Sequence, residues 1–330
     1  MALLSAALAV SALASLCTGP VDIPFGEALA ILIGGERADE TPVAILFDIR
    51  MPRVVLALLV GAALAQSGAV MQGFFQNPMA DPYIVGVSSG AGLGATLAIG
   101  LGLDFWLYGL SGIALMAFLG ALLVTALVYV VSQRTGRLPV MMVLLTGVAL
   151  GALASALTSY IMVAGRDDVF DTQRILFWLM GSLASRRWEH VHIAWPQIVV
   201  GALFLQWMAR DLNMLIQGEE NALYMGVDVE RSKRLLLVGA SLVAASAVAV
   251  SGIIGFVGLV VPHVMRLWVG PDHRLLLPAS MLGGALLLVN ADLLARTAIA
   301  PAELPIGIIT SLLGCPFFLY LLSRRRDWSV

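Results

Sequence analysis

The chain has 330 residues, 60% hydrophobic and only 12% charged, with a net charge of −2 and a mean hydropathy of +0.94. Soluble domains carry about 25% charged residues, so this composition excludes a water-solvated globule and describes a polytopic membrane protein. The near-neutral balance, with Lys233 as the single lysine, argues against a nucleic-acid partner.

A hydrocarbon core about 30 Å thick takes roughly 20 helical residues to cross, and backbone groups in lipid must be paired within helices or closed barrels. The apolar runs are rich in Leu and Ala and lack period-two alternation, which selects helices. In chain order, ten spans are expected at about 2–19, 53–74, 88–103, 109–131, 139–163, 191–209, 235–251, 254–269, 275–295 and 305–322, all within one transmembrane domain, 1–330. No basic run precedes the first apolar segment, so it reads as a retained helix and not as a cleaved signal.

An even number of spans puts both termini on one side, and Arg324, Arg325 and Arg326 assign that side to the cytoplasm. The outer loops then hold Arg37, Arg50, Arg53, Arg166, Arg174, Arg186, Arg187 and Arg296, a positive set that needs its own explanation. Two outer segments, 20–50 and 164–190, mix acidic and apolar residues and are expected to form short helices over the outer face. Cys17 and Cys315 have neither a CxxC nor a Cys/His spacing and read as packing residues; no metal site is expected.

Three stretches interrupt helical hydrogen bonding. After the second span, Asn77-Pro78 and Asp81-Pro82 break the helix, and Gly86, Gly90, Gly92 and Gly94 follow; close packing and lining of a pathway both account for these glycines. Gly252 to Arg266 repeats the theme with Gly255, Gly258 and Pro262, and His263 there is expected to be structural. Pro301 to Gly307 precedes the last span; Glu303 suits the first turn of a helix, with an ion pair to Arg296 as the other option.

The polar island QGEENALYMGVDVERSKR, 217–234, stands between two long apolar segments and reads as a handle offered to a partner outside the membrane. An internal echo links RVVLALLVGA from Arg53 to KRLLLVGA from Lys233, one copy running inward and the other outward, as an inverted repeat requires. There is no Walker motif or catalytic cluster, so any energy for transport must arrive through the island or from an ion gradient. Asp292 is the one clear acidic residue inside a span, which weakens the ion-coupled alternative.

The segments 50–92, 144–151, 177–183, 255–266, 272–278 and 303–318, with the island, resemble the FecCD family of permease subunits of ATP-binding-cassette importers for iron–siderophores, haem and cobalamin. The resemblance implies an all-α membrane fold of about ten helices in inverted-repeat halves, a homodimer, two cytoplasmic ATPase subunits and a periplasmic binding protein. It implies no permanently bound cofactor, with ATP on the partner ATPase, and a multi-pass location in the bacterial inner membrane. By position, Arg50, Arg53 and Arg296 resemble outer-face arginines that dock the binding protein. Glu219, Glu220, Ala222, Leu223 and Gly226 resemble the coupling contact with the ATPase. Asn77, Met79, Val140 and Met141 fall at positions resembling a cytoplasmic gate.

Overall fold

The computed structural model describes the chain except residues 20, 22, 34–39, 104, 108–109, 134–135, 165–168 and 325–330. Arg37, Arg134, Arg166, Arg325 and Arg326, which entered the charge-based orientation, therefore lie outside the described residues. Among the described residues fifteen α-helices occur in chain order: α1 (Ala2–Cys17), α2 (Phe25–Leu32), α3 (Glu40–Ala44), α4 (Met51–Phe74), α5 (Val87–Gly100), α6 (Gly112–Ser132), α7 (Val140–Ala164), α8 (Val169–Leu179), α9 (Trp188–Trp207), α10 (Ala209–Leu215), α11 (Glu219–Tyr224), α12 (Val229–Ser251), α13 (Val257–Val269), α14 (His273–Thr297) and α15 (Ile306–Arg324). A two-residue antiparallel pair, Trp106–Leu107 with Leu110–Ser111, closes the turn between α5 and α6.

The ten expected spans coincide with α1, α4, α5, α6, α7, α9, α12, α13, α14 and α15. Five helices are long and apolar enough to cross a membrane, one of them joining α3, a π-helical turn and α4 into a 35-residue helix. The α9–α10 pair, bent by 49°, is long and apolar enough when its two helices are taken together, and four shorter apolar helices stand at the remaining expected positions. Helix starts follow local chemistry. Ser111, Asp228 and Asp272 cap α6, α12 and α14 by accepting from Ala114, Arg231 and Arg274 backbone N–H groups, which would otherwise lack partners. The outer segments contribute α2, α3 and α8, as their mixed composition predicts.

Helices α4 and α12 are enclosed on nearly all sides, whereas α6 and α7 keep much of their surface outward. The two halves of the chain pack in matching pairs: α4 against α14 and α13, α12 against α6 and α5, α5 against α7, α13 against α15, with α4 and α12 touching each other. The echo aligns Gly61 with Gly239, an offset of 178, and the same offset aligns Met51 with Val229, the first residues of α4 and α12. The short helices that follow, α5 and α13, each begin at a residue in the left-handed region, Gly86 (φ 84°) and Phe256 (φ 67°). The inverted repeat is thus visible in packing as well as in sequence.

Lipid is as apolar as leucine, so helices in a membrane associate through close contact and hydrogen bonds. Glycines supply that closeness here: Gly61 lies on Gly284, Gly68 on Gly258 and Gly90 on Gly120, where any Cβ would overlap opposing backbone. The two interrupted stretches meet between the halves. The Tyr83 hydroxyl donates to the Ile254 carbonyl at 2.9 Å, and the Pro82 ring rests on Gly258. Non-helical backbone at this depth survives because each half covers the other's break.

Candidate functional site

At the end carrying α10 and α11, the polar island folds into a short helix held away from the body. Gly218 (φ 104°) enters α11 and Gly226 (φ 84°) leaves it, backbone conformations that favour glycine. Leu223, Tyr224 and Met225 are 63%, 88% and 44% exposed, an apolar tip on a polar loop. Glu219 and Glu220 are exposed as well, but Glu219 accepts from Lys233 Nζ at 3.1 Å. Ala222 is fully buried and faces the protein, so it positions the helix and offers nothing to a partner. Lys233 also pairs with Glu230 at 2.7 Å and donates to the Leu138 carbonyl at 3.0 Å, tying the island to the turn before α7.

Helix α10, which leads into the island, is tied to both halves of the bundle. Gln76 Nε2 donates to the Leu215 carbonyl at 3.1 Å, at the end of α4. Asn213 on α10 accepts from the His273 backbone N–H at 2.9 Å and donates to Asp272 at 2.6 Å, at the start of α14. Hydrogen bonds from the Arg274 amide, and then from Asn213, hold the exposed Asp272 carboxyl below the usual carboxylate range. These residues surround a cavity of about 540 Å³ lined further by Gln72, Asn77 and Arg266. Sequence reasoning missed Asn213, Gln76 and His273, whose contacts link residues 60 and 139 positions apart and leave no local signal.

Of the residues expected to form a gate, Asn77 borders this cavity, its side chain accepting from the Met79 backbone N–H at 2.9 Å. Val140 packs on the core in the first turn of α7, and Met141 is 65% exposed on that helix. All four lie at the same end, but Met141 points out of the bundle while Asn77 lines the cavity beside α10 and α14.

At the opposite end, Arg50, Arg53 and Arg296, which by resemblance would dock a binding protein, are 4%, 7% and 4% exposed. Their donors are used internally. Arg50 closes the last turn of α1 through the Leu16 and Cys17 carbonyls at 2.7 and 2.8 Å and also meets the Val21 carbonyl. Arg53 binds Asp292 and Glu303, both at 2.9 Å, while Arg296 donates to Ser15 and lies 3.8 Å from Asp292. Glu303 therefore pairs with Arg53 and not Arg296, and it precedes α15 instead of occupying its first turn. Asp292, 1% exposed between two guanidinium groups, is a structural counter-ion. The solvent-facing part of the cluster is Glu303, with 31% of its side chain exposed.

Comparison with known proteins places this architecture. The profile of the FecCD transport family matches residues 7–324. The cobalamin import system permease protein BtuC of Halobacterium salinarum is 50% identical over 287 residues, 87% of this chain and 75% of that protein. The hemin transport system permease protein HmuU of Yersinia pestis is 45% identical over 282 residues, 85% of this chain and 83% of that one. A solved metal-chelate type ABC transporter in an inward-facing conformation superimposes with a TM-score of 0.86 at 35% identity, covering 97% of both chains. A bundle with paired inverted halves, an exposed polar island and a match along nearly its whole length belongs to a transport component: the chain is a member of the FecCD transport family.

Proposed function

We propose that this chain is the membrane-spanning permease subunit of an ATP-driven importer in a bacterial inner membrane, moving an iron chelate (haem or a ferric siderophore) or cobalamin from a periplasmic binding protein to the cytoplasm. The observation that carries the reading is α11. A short helix presenting Leu223 and Tyr224 to solvent, braced by Lys233 and following α10, which is joined to both halves through Gln76 and Asn213, suits a lever seated in a partner's cleft. The partner is a pair of cytoplasmic ATPase subunits, which carry the ATP; the permease needs no permanently bound cofactor. A second copy of the chain completes the pathway, and the outward-standing Met141 on α7 suits a gate shared between copies. Recognition of cargo rests on the binding protein, whose docking through the Arg50, Arg53 and Arg296 region works through the exposed edge at Glu303 because the arginines lie beneath it.

The test is reconstitution in liposomes with the cognate ATPase and binding protein, measuring ATP-dependent uptake of haem, a ferric siderophore and cobalamin in parallel. Uptake of one cargo is expected. Leu223→Asp is expected to abolish uptake and ATPase co-purification while leaving the melting temperature unchanged, since Leu223 faces solvent. Uptake by the chain alone, driven by an ion gradient, would refute the reading in favour of a secondary transporter.

A further inference from the structure

Helices α6 and α9 both pack on α12 and leave a seam between them. Within the membrane this seam is a groove of about 480 Å³, walled by Phe118, Val200 and Phe204 and floored by Gly239 and Leu242 of α12. Val200 and Leu242 are 67% and 39% exposed in it. At the outer mouth of the same seam, the first turns of α6 and α9 border a second cavity of about 430 Å³. Its lining changes character: Arg174, Arg186 and Arg187 stand with His190 and Glu189, beside Phe105 and Ile113.

Among the described residues, Arg186 and Arg187 at this mouth pair with no neighbouring anion. Arg186 Nε is shut off from solvent with no acceptor, and its other contact is a 3.2 Å approach to the His190 ring. Burial pulls Arg186 down to about 10, the effect of desolvation without a neighbouring anion. Among the described residues, neither Arg186 nor Arg187 forms an ion pair; Arg174 has Asp171 at 3.7 Å. The start of the 20-residue α9 adds positive potential at the same spot. On α9 the apolar groove runs from Gln197 to Phe204, 7 residues or about 10 Å at 1.5 Å per residue, and His190 of the cationic cavity stands 7 residues nearer the start of the same helix.

A cationic mouth over an apolar furrow of that length fits an amphiphile with an anionic head. We propose that the α6/α9 seam binds an anionic phospholipid of the outer leaflet, its phosphate on Arg186 and Arg187 and one acyl chain laid along α12. Guanidinium groups suit a phosphate because their planar donor fork matches its oxygens. The seam is independent of which cargo is carried.

Native mass spectrometry of the full chain in detergent, titrated with phosphatidylglycerol and with phosphatidylcholine of the same acyl chains, tests this. Preferential retention of phosphatidylglycerol is expected, and R186Q/R187Q is expected to lower it by about tenfold, the order of one lost charge-assisted contact. R186K/R187K should keep part of the preference. Val200→Trp, filling the groove from its exposed side, should weaken binding of long-chain lipid without changing the melt. Equal retention of the two lipids, or a preference that survives R186Q/R187Q, would overturn the proposal. Competition by glycerol phosphate as effective as that of the long-chain lipid would also overturn it, marking a site for free phosphate or a carboxylate.

Discussion

Gly258→Ala probes the place where the two interrupted stretches meet. A Cβ there would stand 2.7 Å from Pro82 Cδ and 2.9 Å from the Leu64 carbonyl oxygen, against an ordinary contact of 3.4 Å, so about 0.7 and 0.5 Å must be found (3.4 less 2.7 and 2.9). Neither neighbour is a flexible side-chain end: one is a proline ring in a tight turn, the other the backbone of the enclosed α4. Overpacking of this kind costs about 1–3 kcal/mol. If the turn yields along the Tyr83–Ile254 direction, that hydrogen bond lengthens from 2.9 to about 3.6 Å and is lost, adding roughly 0.5–1.5 kcal/mol. At about 2 °C per kcal/mol for a chain of this size, the melt should fall by roughly 3–9 °C. Fluorescence-detected size-exclusion melting in detergent measures it, with Gly255→Ala as control, because nothing lies within 4 Å of a Cβ at that position. A Gly258→Ala protein that melts with the parent, or a control that falls as far, would refute the account of the junction.

Tyr83→Phe at the same junction leaves the Ile254 carbonyl without its donor and should cost about 1–3 kcal/mol by the same melting assay. Asp292→Ala leaves buried Arg296 without an anion and Arg53 with Glu303 alone, and should cost about 3–5 kcal/mol; the double variant Asp292→Ala, Arg53→Met should be less damaged than Asp292→Ala alone, a reversal that an additive pair would not show. Asp272→Asn removes only the charge of a carboxylate held below its usual range. Such a group contributes stability above its unfolded value near 4 and loses it as pH falls through the lower folded value, so the gap between parent and variant melts should be widest near neutrality and close on acidification below about pH 4.

The spans were legible because length and apolarity are local properties, and the breaks because Asn77-Pro78 and Asp81-Pro82 forbid regular hydrogen bonding wherever they fall. The echo of Arg53–Ala62 in Lys233–Ala240 was readable for the same reason, and the matching helix starts followed from it. What could not be read was direction around an axis set by distant partners. Arg50, Arg53 and Arg296 sat correctly at the outer ends of their helices, but their burial depends on Ser15, Leu16, Asp292 and Glu303, which only the folded bundle brings near. Ala222 behaves likewise: a six-residue helix has too few turns to reveal which face is covered. Asn213 and His273, 60 residues apart, had no spacing that could announce their contact.

The arginine cluster at the outer end also bears on how the chain is made. Arg53 must wait for Asp292, 239 residues later, and Ser15 for Arg296, 281 residues later. At about 5–20 residues per second, the first of these gaps takes roughly 12–48 s to synthesise (239 divided by 20 and by 5). Throughout that time α4 carries in Arg53 a cation whose final partners, Asp292 and Glu303, do not yet exist, so it must stay near water at the membrane surface or be shielded by the insertion machinery. A chain stopped before α14 would keep Arg53 so, and the arrival of Asp292 on α14 is what seals it.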